Sequence, residues 1–257
     1  MKLINAMARI ASWTFLSRIA GFVRDILTAI FLGAGPVADA FFVALKLPNI
    51  FRRITAEGAF SAAFVPIYTE TLEREGRQAA GRFAGSTLVW MLMILSAATC
   101  FMLWAMPWII RLIAPGFADE PQRLNTAITL GRITFVYIVL ISAVALLGGI
   151  LNAHNRFSPL AAAPVLFNLS LIACLLFLSV HMPSPGHAMA VGVVIAGIVQ
   201  LAMLGLFAWR YKVALLPGPL RVDSRMRRLL RLMGPGVVGA GVMHINQLAD
   251  MIIASML

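Results

Sequence analysis

The chain of 257 residues is 61% hydrophobic and 12% charged, with a mean hydropathy of +0.90. Soluble domains carry about 45–50% apolar and about 25% charged residues, so the composition excludes an ordinary soluble domain and indicates a polytopic membrane protein. The formal charge of +11 does not signal nucleic acid, because the arginines sit at helix ends and are not interleaved with aromatic residues on one accessible face.

A membrane-spanning helix needs roughly 20 predominantly apolar residues. Taken in chain order, the sequence predicts spans at 10–33, 37–60, 84–110, 131–152, 158–180, 188–209 and 234–257. The fold expected is all-α: a transmembrane bundle of about seven helices, with no strand-rich or extramembrane domain. The first span reads ARIASWTFLSRIAGFVRDILTAIFLG. Arg18 and Asp25 are seven residues apart and share a face, with Arg24 roughly a third of a turn away. The three-residue turn Gly33-Ala34-Gly35 between two membrane-length segments favours an antiparallel hairpin, which argues against a second helix lying on the membrane surface.

The second span carries a charged stripe. Asp39, Lys46 and Arg53 recur every seven residues, Glu57 follows four beyond Arg53, and Arg52 borders the line. From Asp39 to Glu57 the stripe covers about 27 Å, close to the hydrocarbon thickness. Pro48 interrupts it beside Asn49; a proline there frees a carbonyl and kinks the helix, which widens any adjoining cavity.

The later spans are defined by charge-free runs between Arg82 and Arg111, between Arg132 and Arg156, and between Arg156 and Arg210, the last broken by the turn HMPSPGH at 181–187. Lys and Arg concentrate in alternate loops: Lys2 and Arg9; Arg74, Arg77 and Arg82; Arg156; and Arg210 to Arg228. Loops 34–36, 111–130 and 181–187 contain only Arg111 and Arg123. The excess of cations on one side predicts a cytoplasmic N-terminus.

Several motifs are discounted. GPGVVG at 234–239 fits the letters of a dinucleotide fingerprint but lacks the strand and βαβ context. The NLS at 168–170 lies mid-span and reads as no glycosylation acceptor. Cys100 and Cys174 sit in apolar spans without a CxxC partner, and His154, His181, His187 and His244 are scattered, so neither a metal nor another cofactor is expected. The N-terminus has no clean cleavable signal.

Charges at membrane depth cost from about 2.5 to over 10 kcal/mol each and face a bundle interior or a water-filled path. Mutual pairing (Asp25 with Arg18, Asp39 with Lys46, Glu57 with Arg53) accounts for part of them. Five cations, namely Arg18, Arg24, Lys46, Arg52 and Arg53, stand against three anions. The surplus calls for an anionic ligand, and arginine forks match phosphate oxygens.

On these residues the chain resembles the MurJ (MviN) family, lipid II flippases of the multidrug/oligosaccharidyl-lipid/polysaccharide exporter superfamily. The resemblance rests on SRIAGFVRD at 17–25, on the block GAGPVADAFFVALKLPNIFRRITAEGAFSAAFVPIY at 33–68, on APGF at 114–117 and on LNAHNRFSPLAAAPVLFN at 151–168. It implies a bacterial inner-membrane transporter that moves undecaprenyl-pyrophosphate-linked lipid II to the outer leaflet by alternating access, with membrane potential implicated and no enzymatic step. Arg18, Arg24 and Arg52 would clamp the diphosphate, with Ser17, Arg53 and Lys46 contributing. Asp25, Asp39 and Glu57 would re-pair as gate partners. The basic clusters at 74–82 and 221–231 would meet anionic phospholipid headgroups. The peptidoglycan-synthesis machinery is a further partner that the resemblance allows.

The resemblance also implies about fourteen helices in two lobes. Residues 1–215 would be the first six-helix lobe and 216–257 a cytoplasmic linker with the start of the second, a faint echo being Asp250 and Ala254 against Asp25 and Ala29. On that reading the chain is truncated and does not flip substrate alone. Three other functions stay open: a related exporter of drugs or polysaccharide lipids, which for cationic drugs would want an acidic cavity; a membrane enzyme acting on polyprenyl diphosphate, which would want an acidic metal cluster or a nucleophile and base; and a non-transporting scaffold, which would tolerate neutralised arginines.

Overall fold

Proline and glycine place most of the boundaries. In a computed structural model describing residues 2–52, 60–213 and 215–236, with 239 and 252, helices α1 (Lys2–Leu32), α2 (Pro36–Arg52), α3 (Phe60–Ile113), α4 (Pro121–Phe135), α5 (Tyr137–Ala153), α6 (Ser158–Leu178) and α7 (Pro185–Arg210) follow in order. Residues 224–236 form an eighth helical stretch, α8. Prolines stand in the first turn of α2, α4, α6 and α7, where the missing N–H costs nothing and the fixed φ suits a helix. Three hydroxyls inside the helices donate to the preceding turn, Thr28 to Arg24 O (2.7 Å), Thr71 to Ile67 O (2.7 Å) and Thr87 to Phe83 O (2.8 Å), so these need no water.

The all-α expectation holds: there is no strand among the described residues. Four stretches are long and apolar enough by themselves to cross a membrane: α3, the nearly continuous α4–α5 (Pro121–Ala153), α6 with its short 3-10 extension to His181, and α7. The first two helices carry charged residues within their apolar runs instead. Residues 53–59, and most of the expected span 234–257, lie outside the described residues.

Two expectations are corrected. Residues 61–75, which fall between the expected spans 37–60 and 84–110, are helical. They form the short arm of α3, which turns at Gly76 with φ +84 and ψ −179, backbone that only glycine adopts without strain. The arm was hidden because its Arg and Glu content looks like a loop, while Phe60, Phe64 and Tyr68 bury themselves on one face. Residues 121–130, read as part of an outer loop, already belong to α4.

Two packed clusters form the interior. The larger joins α2, α3, α4, α5, α6 and α7 through Phe41, Met106, Phe135, Tyr137, Leu171 and Val193. The smaller, at the end of the bundle near the N-terminus, joins the α3 arm, α5 and α8 through Phe60, Phe64, Tyr68, Phe83, Met226 and Leu229. Here Tyr68 Oη lies 3.1 Å from His154 Nε2; burial and then the charge of Arg77 hold His154 below the ordinary histidine value of 6.5. By contrast, α1 packs mainly on α6 and exposes Phe15, Phe22 and Ile30, while the far end of α3 exposes Phe101, Trp104 and Trp108. Faces this apolar suit acyl chains.

The segment after α7 lies across the long arm of α3 in backbone contact. Leu216 N–H donates to Gly81 O (3.2 Å) and Ser86 Oγ to Pro219 O (3.0 Å). Asp223 starts α8 by accepting the Met226 N–H at 2.8 Å. A Cβ on Gly85 would stand 2.0 Å from Leu216 O, so Gly85→Ala must push the crossing segment away. The expected outcome is faster proteolytic nicking within 215–223 and a melting temperature lowered by a few degrees; unchanged nicking would refute the contact.

Candidate functional site

α1, α2, α3, α5, α6 and α7 line a cavity of about 800 Å³. Its wall includes Arg24, Asp25 and Thr28 of α1, Lys46, Asn49 and Arg52 of α2, Asn152 at the end of α5, and Asn168 and Gln200 of α6 and α7, set among apolar side chains such as Phe41, Phe42 and Leu171. Pro48 lies within α2, next to Asn49 on the wall. Among the described residues, three cations thus face one carboxylate.

Arg24 is the best-held cation. Its Nε and Nη2 donate to Asp25 Oδ1 at 3.1 and 2.7 Å, and its Nη1 donates to Asn168 Oδ1 at 2.8 Å. Lys46 is half-buried on the wall and has no ion pair among the described residues. Arg52, at the last turn of α2, adds a second cation toward the end of the bundle that holds the N-terminus. An enclosed, partly apolar wall lowers the local dielectric and strengthens the pull of these charges on an anion.

The other predicted site residues lie elsewhere. Ser17 and Arg18 are outside the cavity wall; Arg18 is exposed and Ser17 half-buried, with its carbonyl accepting from Asn168 Nδ2 at 3.0 Å. Asp25 pairs with Arg24 and not with Arg18, since seven residues separate the Arg18 and Asp25 backbones by about 10 Å along the axis. Asp39 pairs with Arg123 of α4 and not with Lys46. Arg123 also approaches Glu120 (3.5 Å) and lies over the Phe117 ring, 4.2 Å from its centroid. This cluster closes the far end of α2 against α4, outside the cavity. The α2 stripe therefore splits into an inter-helix lock at Asp39 and a cavity face at Lys46. Arg53 and Glu57 lie outside the described residues.

Sequence reasoning missed two participants. Asn168 was passed over as part of an irrelevant acceptor triplet; an amide in the middle of an apolar span was the available signal, since buried amides are retained for a partner. Arg123 was counted as a loop cation, and nothing in a sequence links it to a carboxylate 84 positions away. The basic clusters at 74–82 and 221–231 partly face each other through carboxylates: Arg228 to Glu70 (2.7 Å) and Arg225 to Glu75 (3.1 Å). No group of three or more metal-ligating side chains occurs among the described residues.

Comparison with known proteins bears on the whole chain. A family model described as lipid II flippase MurJ matches residues 28–257. A probable lipid II flippase MurJ of Rhizobium meliloti (strain 1021) is 37% identical over 259 residues, covering 99% of this chain and 48% of the relative. A lipid II flippase MurJ of Burkholderia cenocepacia is 35% identical over 268 residues, covering 100% of this chain and 51% of the relative. The chain thus spans about half the length of the curated relatives it matches. Among solved structures, a lipid II flippase MurJ in an inward closed conformation superposes with a TM-score of 0.77 at 27% identity, over 96% of this chain and 50% of that one. An outward-facing multidrug resistance MATE family transporter of the MOP superfamily superposes with a TM-score of 0.72 at 16% identity, over 93% of this chain and 53% of that one, which shows a shared fold.

Proposed function

The chain belongs to the lipid II flippase MurJ family, and from that premise we propose that the protein translocates lipid II, the undecaprenyl-pyrophosphate-linked peptidoglycan precursor, across the bacterial inner membrane by alternating access. The observation that carries this reading is the cavity whose described wall brings Arg24, Lys46 and Arg52 together with Asp25 and the Asn168 amide. A diphosphate would bring negative charge to that wall, and guanidinium forks give it directional hydrogen bonds. Arg18, exposed on α1 beside Ser17, would meet the headgroup before it enters, or in another state of the cycle. Residues 1–215 would form one lobe and 216–257 the link into a second. The N-terminus would face the cytoplasm, where the exposed Arg227 and Arg231 meet anionic phospholipid headgroups. The peptidoglycan-synthesis machinery would be the source and the user of the cargo.

The test is leaflet accessibility of lipid II in cells depleted of their own flippase and supplied with this protein. Outer-leaflet lipid II should return with the wild type and not with Arg24→Ala; no return with either overturns the reading. Export of a cationic dye with no change in lipid II would replace this reading with drug export, which the cation-rich wall disfavours by like-charge repulsion.

A further inference from the structure

Arg24 is held by two different kinds of acceptor. Asp25 neutralises it, whereas Asn168, 6% exposed on α6, accepts from Nη1 at 2.8 Å without contributing charge. The Asn168 amide is itself fixed, because its Nδ2 donates to Ser17 O at 3.0 Å. Ser17 and Arg24 are two turns apart on one face of α1, so a single side chain of α6 grips α1 at both points.

We propose that Asn168 is a positioning residue that keeps the Arg24 guanidinium on the cavity wall while leaving its charge available to an incoming diphosphate; the identity of that anion rests on the transport reading above. Arginine is donor-only and a main-chain carbonyl acceptor-only, so the bridging group must accept at one end and donate at the other. Asparagine does both. Aspartate would hold Arg24 equally well, but it cancels the charge and turns a carboxylate oxygen toward the Ser17 carbonyl. Leucine fills the space and leaves Nη1 without its acceptor. An amide therefore orients without neutralising, which distinguishes its contribution from that of Asp25.

The experiment uses the purified full-length protein and farnesyl diphosphate as probe. Asn168→Asp should weaken binding about tenfold, the size of one charge-assisted contact, and flatten its salt dependence. Adding Asp25→Asn, which restores the charge count, should return binding to within about threefold of wild type. A residue that merely packed would not respond to this exchange. Independently of any ligand, melting temperatures of Asn168→Leu, Arg24→Met and the double variant should be non-additive, as expected for groups in contact. Unchanged binding by Asn168→Asp, no recovery with Asp25→Asn, or an additive cycle overturns the inference. A wild type that does not bind farnesyl diphosphate overturns the transport reading, while the thermal cycle still decides whether Asn168 holds Arg24.

Discussion

Replacing Arg24 by alanine weakens binding of a polyprenyl diphosphate by about ten- to a hundredfold, and Asp25→Asn strengthens it. A hydrogen bond to a charged group contributes about 1.5–3 kcal/mol, and each 1.4 kcal/mol is tenfold. Two features push the Arg24→Ala effect toward the upper end. Among the described residues the wall has three cations, and removing this one leaves the Asp25 carboxylate, until then paired at 2.7 Å, facing the incoming phosphates. Asp25→Asn has the opposite sign because it frees two guanidinium donors and removes a competing anion. Its transport rate should nevertheless fall, since a carboxylate that can reclaim Arg24 is what returns the site to its unloaded state. The check is titration with farnesyl diphosphate alongside the lipid II accessibility assay. Parallel changes in both measurements for Asp25→Asn would show that the carboxylate does not compete with the cargo. Lys46→Ala should weaken binding in the same direction as Arg24→Ala, and Lys46→Arg should not.

The second large effect is expected at the far end of the bundle. Arg123→Ala removes the partner of Asp39, a contact with Glu120 and a cation resting on the Phe117 ring. An exposed ion pair alone is worth little, but the Arg123 side chain is only 19% exposed and makes all three contacts at once, so a loss of about 1–2 kcal/mol is expected. For a chain of this length that lowers the melting temperature by about 2–8 °C. The functional consequence follows from position. The same pair fastens α2 to α4 beyond the cavity, so its removal should bias the protein toward the state open on that side. Cysteine labelling at Phe42, which lines the cavity, should become faster from that side in Arg123→Ala. Unchanged labelling with a lowered melting temperature would make the cluster structural only.

The all-α architecture and the order of the apolar helices were legible because membrane-length runs announce themselves by composition. The cationic bias of the first two helices was equally legible, since charge is costly at that depth and its placement is restricted. Pairing was not. Residues seven apart on a helix share a face but stand about 10 Å apart, so Arg18 could not reach Asp25 nor Lys46 reach Asp39, and the carboxylates found nearer or more distant partners in Arg24 and Arg123. The helical short arm of α3 was missed for a different reason. Its polar residues face outward and toward α8, and a composition window averages them with the aromatic face that packs beneath. Asn168 shows the limit of motif reading, because the triplet that contains it is meaningless as an acceptor while its amide is committed on both sides.

The contact between residues 216–219 and the long arm of α3 leaves the chain beyond α7 no slack. A floppy tether would let successive parts of the polypeptide reorient freely; one bolted through main-chain groups at Gly81 and beside Gly85 behaves as a bracket. The described stretch 215–236 therefore takes its bearing from the long arm of α3, and α8 is carried with it.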